Sequence, residues 1–160
     1  MLKPVKTKNT HADGGAFAIV ASRYNARYVD AMLRAAKEEL WRADVSRIQI
    51  IRVPGAYEIP VVVNRLARTT TPPFSAIICL GVILRGQTVH AAHIGEVVNR
   101  ALMEIQIAHE IPVIHEVLLL ENEEQARVRC LDPKHNRGTE AAQTALEMAR
   151  VMERLTDGEA

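Results

Sequence analysis

The chain has 160 residues, 48% of them hydrophobic, and a formal net charge of +1 with its Lys and Arg residues scattered. This balance is typical of a soluble globular protein and argues against a nucleic-acid partner, which needs a clustered basic surface. No apolar run approaches the ~18 residues of a membrane span and no signal peptide is recognisable, so we expect neither membrane insertion nor secretion. Cys79 and Cys130 are too few for a disulfide framework, which favours a reducing cytoplasm.

We expect one domain, at 16–156, between two flexible ends. Residues 1–15 form a polar arm that contains one proline and ends in two glycines, and residues 157–160 form a short polar tail. Segments of this composition at chain ends are seldom ordered. A domain of this length can bury a core without disulfides or metal.

Strand and helix patterns alternate along this domain. The first strand, 17–22, is a short continuous apolar run, as expected of a strand buried on both faces. Asn25 stands where it can cap the next helix, whose apolar residues keep helical spacing up to Leu40. Further strands are predicted at 48–53, 75–84 and 112–120, and further helices at 60–68, 93–109, 122–130 and 139–155.

This alternation predicts an α/β fold. A parallel sheet of about four strands would carry helices on both faces, which makes a three-layer α/β/α sandwich. Ligands of such folds bind outside the carboxyl ends of the strands. That rule selects four segments as candidate site, namely 22–25, 54–58, 82–90 and the strand around His115.

The loop after the longest apolar run, 85–90, has two interpretations. Gly86 lets the backbone approach a ligand closely, and free N–H groups together with the Thr88 hydroxyl suit a phosphate. The same residues also suit a plain turn, because the loop is neither a Walker loop nor a GxGxxG motif. Arg85 also has two interpretations: it contacts a ligand, or it forms a structural pair with a carboxylate.

Three further side chains at strand ends each have a structural and a functional interpretation. His90 is a capping or solvent-facing histidine, or it is a proton shuttle, since an imidazole titrates near neutral pH. Glu58 is a first-turn acid favoured by the helix dipole, by roughly 0.3–1 kcal/mol, or it accepts hydrogen bonds from ligand hydroxyls. Tyr24 packs against the protein or stacks on a flat heterocycle.

A metal site is a competing interpretation of the histidines. Six candidate ligands are present. His90, His93 and Glu96 follow one another at intervals of three residues, and His109, His115 and Cys130 lie downstream. No HExxH motif and no pair of CxxC motifs accompanies them, so we predict that no metal is bound.

Six segments together resemble the 6,7-dimethyl-8-ribityllumazine synthases, the transferases of the penultimate step of riboflavin biosynthesis. In chain order they are SRYN, VPGAYEIP, LGVILRGQTVH, IPVI, EEQARVR and NRGTEAAQTALEMA, within about 17–155. The resemblance implies a flavodoxin-like fold and a homopentamer with active sites between neighbouring subunits. It also implies that no redox cofactor or metal is needed. In some members of the family, twelve pentamers form an icosahedral shell.

The resemblance also implies roles for individual residues where the motifs match. The positions for the pyrimidine ring and the ribityl chain are Tyr24, which stacks on the ring, and Ala56, Tyr57, Glu58, Val82, Ile83 and Leu84. His115 falls where the family usually has an aromatic residue that reaches the pyrimidine from the adjacent subunit. The positions for the phosphate of the second substrate are Gln87, Thr88 and Arg129. His90 matches the proposed proton donor.

Two departures from the family bear on function. Ala91 and Ala92 stand where the family often has an aromatic residue and an aspartate, so the acid that could orient His90 is missing from its usual place. Glu96 or a neighbouring chain is a conjectural substitute. Pro133 lies in a loop that many shell-forming members make richer in glycine, which favours an isolated pentamer.

The resemblance implies that 5-amino-6-(D-ribitylamino)uracil condenses with 3,4-dihydroxy-2-butanone 4-phosphate to 6,7-dimethyl-8-ribityllumazine, with release of phosphate and water. Two alternatives on the same scaffold stay open. One is a lumazine- or flavin-binding protein that has lost catalysis, an idea suggested by Ala91 and Ala92. The other is a principally structural shell protein. Turnover and particle mass together separate the three.

Overall fold

A computed structural model describes residues 14–86 and 89–158. The elements are β1 (Ala16–Ser22), α1 (Ala26–Arg42), β2 (Arg47–Val53), a 3-10 turn (Ala56–Glu58), α2 (Ile59–Thr69), β3 (Ala76–Leu84), α3 (His90–His109), β4 (Val113–Leu120), α4 (Glu123–Ala126), a π-helical turn (Arg127–Leu131) and α5 (Arg137–Thr156). Outside the described residues lie most of the predicted arm, the end of the predicted tail, and the predicted phosphate residues Gln87 and Thr88.

The four strands form one parallel sheet in the order β2-β1-β3-β4. β1 and β3 are buried along nearly their whole length, because they lie in the middle of the sheet with a helix layer on each face. The predicted flavodoxin-like three-layer fold is thereby confirmed. From β2 the chain passes back beyond β1 to reach β3, so the topological switch point lies between the carboxyl ends of β1 and β3.

Two apolar cores fill the space between the layers. Phe17 and Ile19 of β1 point into the core under α1 and α5, whereas the alternating residue Val20 points into the core under α2 and α3. Cys79 and Cys130 are both buried and unpaired. Burial raises the pKa of both thiols, to about 11 for Cys130, so neither is a nucleophile at neutral pH.

Helix α3 begins at His90, three residues before the predicted start at His93. The prediction was late because the apolar stripe on which it rested begins only at Ile94. Ala91 and Ala92 form the first turn instead, since alanine has the highest helix propensity. His90 is therefore held by a helix and not by a loop.

Asn25 precedes α1 as predicted, but its side chain does not cap the helix. Its backbone is left-handed, with φ 57°, a conformation that asparagine tolerates better than most residues. The cap prediction is wrong because the side-chain amide has a partner elsewhere in the fold, in β3.

Helix α5 begins at Arg137, two residues before the predicted Thr139. The side chain of Asn136 caps it by accepting a hydrogen bond of 2.8 Å from the Gly138 N–H. At Gly138 the helix passes directly against α1, and a Cβ there would overlap the main-chain carbonyl of Met32. Glycine at this position sets how closely the two helices pack.

None of the helices in the described ranges, 14–86 and 89–158, is long and apolar enough to cross a membrane.

Candidate active site

A cavity of about 650 Å³ opens at the switch point between β1 and β3. Its walls come from four segments that are far apart in the chain. They are Tyr24 and Asn25 after β1, residues 55–58 after β2, residues 82–84 at the end of β3, and His90, His93, Ile94 and Val97 of α3. The cavity thus lies where the rule for doubly wound sheets expects a ligand.

The cavity brings together eight of the residues that the sequence singled out. They are Tyr24, Ala56, Tyr57, Glu58, Val82, Ile83, Leu84 and His90. His115 and Arg129 do not line it. The cavity therefore contains most of the residues expected to bind the ring and ribityl chain and the one expected to move a proton, but not His115 or the arginine expected to bind phosphate.

Gly55 supports the aromatic wall of the cavity. A Cβ at this glycine would lie 2.9 Å from the ring of Tyr24 and 3.0 Å from the carboxylate of Glu58. Only glycine leaves room for both groups at their present positions. The Tyr24 side chain is 71% exposed, so it is open to a ligand from the cavity side.

Glu58 fits both of its interpretations, as an acid at the start of a helix and as an acceptor at the cavity. Its Oε2 accepts a hydrogen bond of 2.8 Å from the Gly55 N–H, which holds the side chain at the start of the turn. Glu58 also lines the cavity, and its carboxylate makes no other hydrogen bond to a described residue. A carboxylate held through one oxygen keeps the other as an acceptor for the hydroxyls of a ligand.

Asn25 joins two walls of the cavity. Its Nδ2 donates a hydrogen bond of 2.7 Å to the main-chain carbonyl of Val82, which is 57 residues away in the chain. This bond fixes the loop after β1 against the end of β3. It also occupies one lone pair of a carbonyl that the sequence assigned to the pyrimidine. Sequence reasoning missed this role, because the only local signal from an asparagine here was a helix cap.

The first turn of α3 presents two imidazoles to the cavity, His90 and His93. Neither has a hydrogen-bond partner among the residues that the structure describes. Glu96, the conjectured substitute for the missing acid, forms an exposed ion pair of 3.5 Å with Arg100 and does not line the cavity. Within this chain, Glu96 therefore does not orient His90. The sequence indicated His93 only as a candidate metal ligand and not as a residue of this cavity.

Arg85 has the structural role that the sequence left open. Its Nη1 donates hydrogen bonds of 3.0 Å to both carboxylate oxygens of Glu121. Its backbone N–H donates to the carbonyl of Leu120, at the end of β4. Both ionic side chains are about half exposed, so the pair ties together two strand ends with little net stabilisation.

His115 and Arg129 lie on the side of the sheet that ends in β4. His115 is exposed on this edge strand, and alternation places it on the same face as Val113 and Val117. Partial burial lowers the pKa of His115. Arg129 is exposed in the π-helical turn Arg127–Leu131. Both side chains are open to a second molecule.

A buried ion pair lies beside Arg129 and was not anticipated. Glu116 of β4 is only 6% exposed, and it accepts hydrogen bonds of 2.7 and 3.0 Å from Arg137 at the start of α5. Arg137 also pairs with Glu140. Burial raises the pKa of Glu116, and the charge and hydrogen bonds of Arg137 oppose that rise without cancelling it. No local pattern could reveal the pair, because its partners are 21 residues apart.

A second cavity of about 830 Å³ lies at the opposite, amino-terminal ends of the strands. Its walls include Phe74, Ser75 and His109, and none of the residues that the sequence assigned to substrate binding or proton transfer. This cavity is the larger of the two, but convergent polar groups and the switch point favour the smaller one as the candidate site. Among the described residues, no three His, Cys, Asp or Glu side chains are grouped closely enough to hold a metal ion.

Fold and cavity together define an α/β protein of the flavodoxin-like class with a candidate small-molecule site at its switch point. Residues 14–153 match the family model of 6,7-dimethyl-8-ribityllumazine synthase. The 6,7-dimethyl-8-ribityllumazine synthase of Xanthomonas oryzae pv. oryzae (strain PXO99A) is 40% identical over 141 residues, which are 87% of this chain and 90% of the relative. The enzymes of that name from Xanthomonas euvesicatoria pv. vesicatoria (strain 85-10) and Stenotrophomonas maltophilia (strain R551-3) are 40% and 39% identical over the same shares.

The chain therefore belongs to the 6,7-dimethyl-8-ribityllumazine synthase family, an enzyme family of riboflavin biosynthesis. This confirms the resemblance drawn from the six sequence segments.

Proposed function

We propose that this chain condenses 5-amino-6-(D-ribitylamino)uracil with 3,4-dihydroxy-2-butanone 4-phosphate to 6,7-dimethyl-8-ribityllumazine, releasing phosphate and water. One observation supports the site in particular. Residues from four separate segments, each carried over from the family's motifs, converge on a single cavity at the switch point. The reaction itself is inferred from the family to which the chain belongs.

The binding roles follow from the chemistry of the cavity wall. Tyr24 stacks on the pyrimidine ring, and main-chain groups at 82–84 bind its polar edge. Ala56, Tyr57 and the free oxygen of Glu58 bind the ribityl chain, whose hydroxyls donate to that carboxylate. Holding two substrates in reacting geometry supplies up to roughly 7–11 kcal/mol in ideal cases, and we expect most of the rate acceleration to come from this alignment.

The chemical steps need proton transfer and an anion site. The amine attacks the ketone and forms an imine, phosphate leaves, and the resulting enol closes onto the nitrogen that bears the ribityl chain, with loss of water. His90 moves protons at the cavity wall, an effect typically worth about 10²–10⁴-fold. Gln87, Thr88 and Arg129 bind the phosphate, Arg129 by charge-assisted hydrogen bonds.

The active unit is an isolated homopentamer whose sites lie between subunits. Two arguments support it: His115 and Arg129 are exposed and outside the cavity of their own subunit, and α3 leaves Met103 and Ile107 exposed. These two residues are four apart on one helix face, and neighbouring exposed apolar side chains are typical of an interface. Pro133 in the loop before α5 argues against a shell. The two free cysteines suit a cytoplasmic location.

Turnover is tested by mixing the two purified substrates and following the absorbance of the lumazine. We expect product formation without added metal or cofactor. Binding of the lumazine without turnover would contradict the proposal and favour a binding protein. Native mass spectrometry tests the assembly, where five subunits are expected and a sixty-subunit particle would indicate a shell.

Subunit mixing tests the shared site. We expect His90→Ala and Arg129→Ala chains, each weakly active alone, to regain activity when co-assembled, because some interfaces then combine an intact His90 with a neighbour's intact Arg129. The matched control mixes His90→Ala with Tyr24→Ala chains. Both residues belong to the cavity of one subunit, so no interface is restored and activity should stay low. Equal recovery in the two mixtures would contradict a site shared in this way.

A further inference from the structure

We propose that His93 is a second catalytic imidazole, which exchanges protons with the reacting atoms alongside His90. The inference rests on the proposed function and assigns a new residue to the same site.

The two imidazoles share one wall of the cavity. His90 and His93 are three residues apart in α3, and residues at this spacing lie on one face of a helix with Cβ atoms roughly 5–6 Å apart. Both side chains are exposed to the cavity. An arrangement of this kind lets both rings reach neighbouring atoms of one bound substrate.

The other titratable groups around the cavity do not offer the same chemistry. Glu58 is held by the Gly55 N–H and stands at the turn after β2, and the side chains of Tyr24 and Tyr57 are phenols and not imidazoles. On α3 itself, Glu96 and Arg100 pair with each other outside the cavity. Of the described residues that border the cavity, His90 and His93 are the two histidines, and imidazole is the side chain most often used for general acid–base catalysis.

The first step of the reaction needs two proton transfers at adjacent atoms. Attack of the amine on the ketone gives a carbinolamine, in which the new C–N bond carries an N–H and the former carbonyl oxygen is a hydroxyl. To form the imine, the His90 imidazolium gives its proton to that hydroxyl and the C–O bond breaks, so that water leaves. The neutral His93 imidazole takes the N–H proton, and the N–H electron pair becomes the second bond of C=N. The pair of histidines holds one proton before the step and one after it.

A pair of histidines explains how the first turn of α3 can act without an orienting acid. Ala91 and Ala92 have no ionisable side chains, and Ala91 is buried, so the turn has no acid beside His90. A second imidazole one turn along the helix replaces an orienting carboxylate with a partner that itself accepts the proton.

The test compares His93→Gln with His90→Gln in steady-state kinetics across pH 5–9. Glutamine keeps hydrogen-bonding groups but does not titrate. We expect kcat of His93→Gln to fall roughly 10- to 100-fold, because solvent replaces part of the usual general-base effect. The fall of rate toward acid pH should disappear in His93→Gln, and the fall toward alkaline pH should disappear in His90→Gln. Added imidazole should restore part of the activity of His93→Ala.

The matched control is His109→Gln at the other end of the same helix. His109 contacts Asn64 and lies outside this cavity, so its substitution should leave kcat and the pH profile unchanged. If the wild type turns over while His93→Gln keeps its kcat within twofold and its pH profile, the role of His93 is overturned and the proposed function stands.

Absence of wild-type turnover would overturn the proposed function instead, and ligand contact then decides the role of His93 separately. The probe is 6,7-dimethyl-8-ribityllumazine itself, titrated into protein with ¹⁵N-labelled histidine. A shift of the His93 ring resonances on binding supports contact with the ligand, and unchanged His93 resonances at saturation overturn it.

Discussion

The side-chain amide of Asn25 donates a hydrogen bond of 2.7 Å to the main-chain carbonyl of Val82. This bond connects the loop that carries Tyr24 to the strand end that forms the floor of the cavity. The spacing between Tyr24 and the main-chain groups at the end of β3 depends on it.

Asn25→Gly should therefore weaken binding of the pyrimidine more than it weakens the fold. Glycine keeps the left-handed backbone without strain and removes only the hydrogen bond, worth about 1 kcal/mol. We expect KM for the pyrimidine substrate to rise about fivefold to tenfold with a small change in thermal midpoint. Asn25→Ala adds the cost of a left-handed alanine, about 1–2 kcal/mol, and should lower stability further. Equal stability of the two variants would contradict the backbone part of this argument.

Gly55→Ala should displace the Tyr24 ring, because the new Cβ would lie 2.9 Å from it. Affinity for the lumazine product, measured by fluorescence titration, should fall about tenfold or more, since stacking of a base on an aromatic ring is worth about 1–3 kcal/mol. Gly95→Ala is the matched control. A Cβ there meets Leu119 at 3.7 Å, an ordinary contact, and alanine favours the helix by up to about 1 kcal/mol. Product affinity should not change in the control.

Arg129→Ala should raise KM for the phosphate substrate about 10- to 100-fold, the loss expected for hydrogen bonds between charged groups. KM for the pyrimidine substrate should change little. Arg127→Ala, two residues earlier, removes an equally exposed arginine that pairs with Glu124 and serves as the control. An unchanged phosphate KM in Arg129→Ala would show that the phosphate assignment is wrong.

Arg137→Met should destabilise the fold in a way that depends on pH. It leaves Glu116 as an unpaired carboxylate that is 6% exposed, and the pKa of Glu116, already raised by burial, should rise further. A carboxyl whose pKa is higher in the folded state than in the unfolded state favours folding in its protonated form. The penalty is therefore full above the folded pKa, about 3 kcal/mol, and shrinks as pH falls.

Urea unfolding of the Arg137→Met variant at pH 8 and pH 5 measures this difference. We expect a clear loss of stability relative to the wild type at pH 8 and a smaller one at pH 5. Arg127→Met, which breaks a fully exposed pair, should show no comparable dependence. A loss that is the same at both pH values would mean that Glu116 is not the source.

Gly138→Ala should lower the free energy of unfolding by about 3 kcal/mol, because the added methyl group forces α5 away from the Met32 carbonyl of α1. The measurement is again urea unfolding. Since Gly138 lies outside the cavity, the fraction that remains folded should keep the wild-type KM values, and a changed KM with unchanged stability would contradict the packing argument.

The sequence by itself determined the fold class and the cavity's main segments. Burial on both faces of 17–22 and 75–84 appears in the chain as continuous apolar runs, and helices between strands require parallel pairing. The ends of the strands follow from these runs, and Tyr24, Glu58 and His90 lie at or just after them. The spacing of apolar residues along a strand or helix indicates which of its residues are buried. Burial can therefore be predicted from a short stretch of sequence.

Only the tertiary structure decided which groups meet. Asn25 resembled a helix cap until β3, 57 residues later, presented the Val82 carbonyl to its amide. The same holds for Glu116 and Arg137, and for the room that Gly55 leaves beside Tyr24. The structure places His93 at the cavity, because α3 begins at His90 and residues three apart share one face of a helix. These relationships depend on distances between atoms that the chain brings together only when the sheet and its two helix layers have formed.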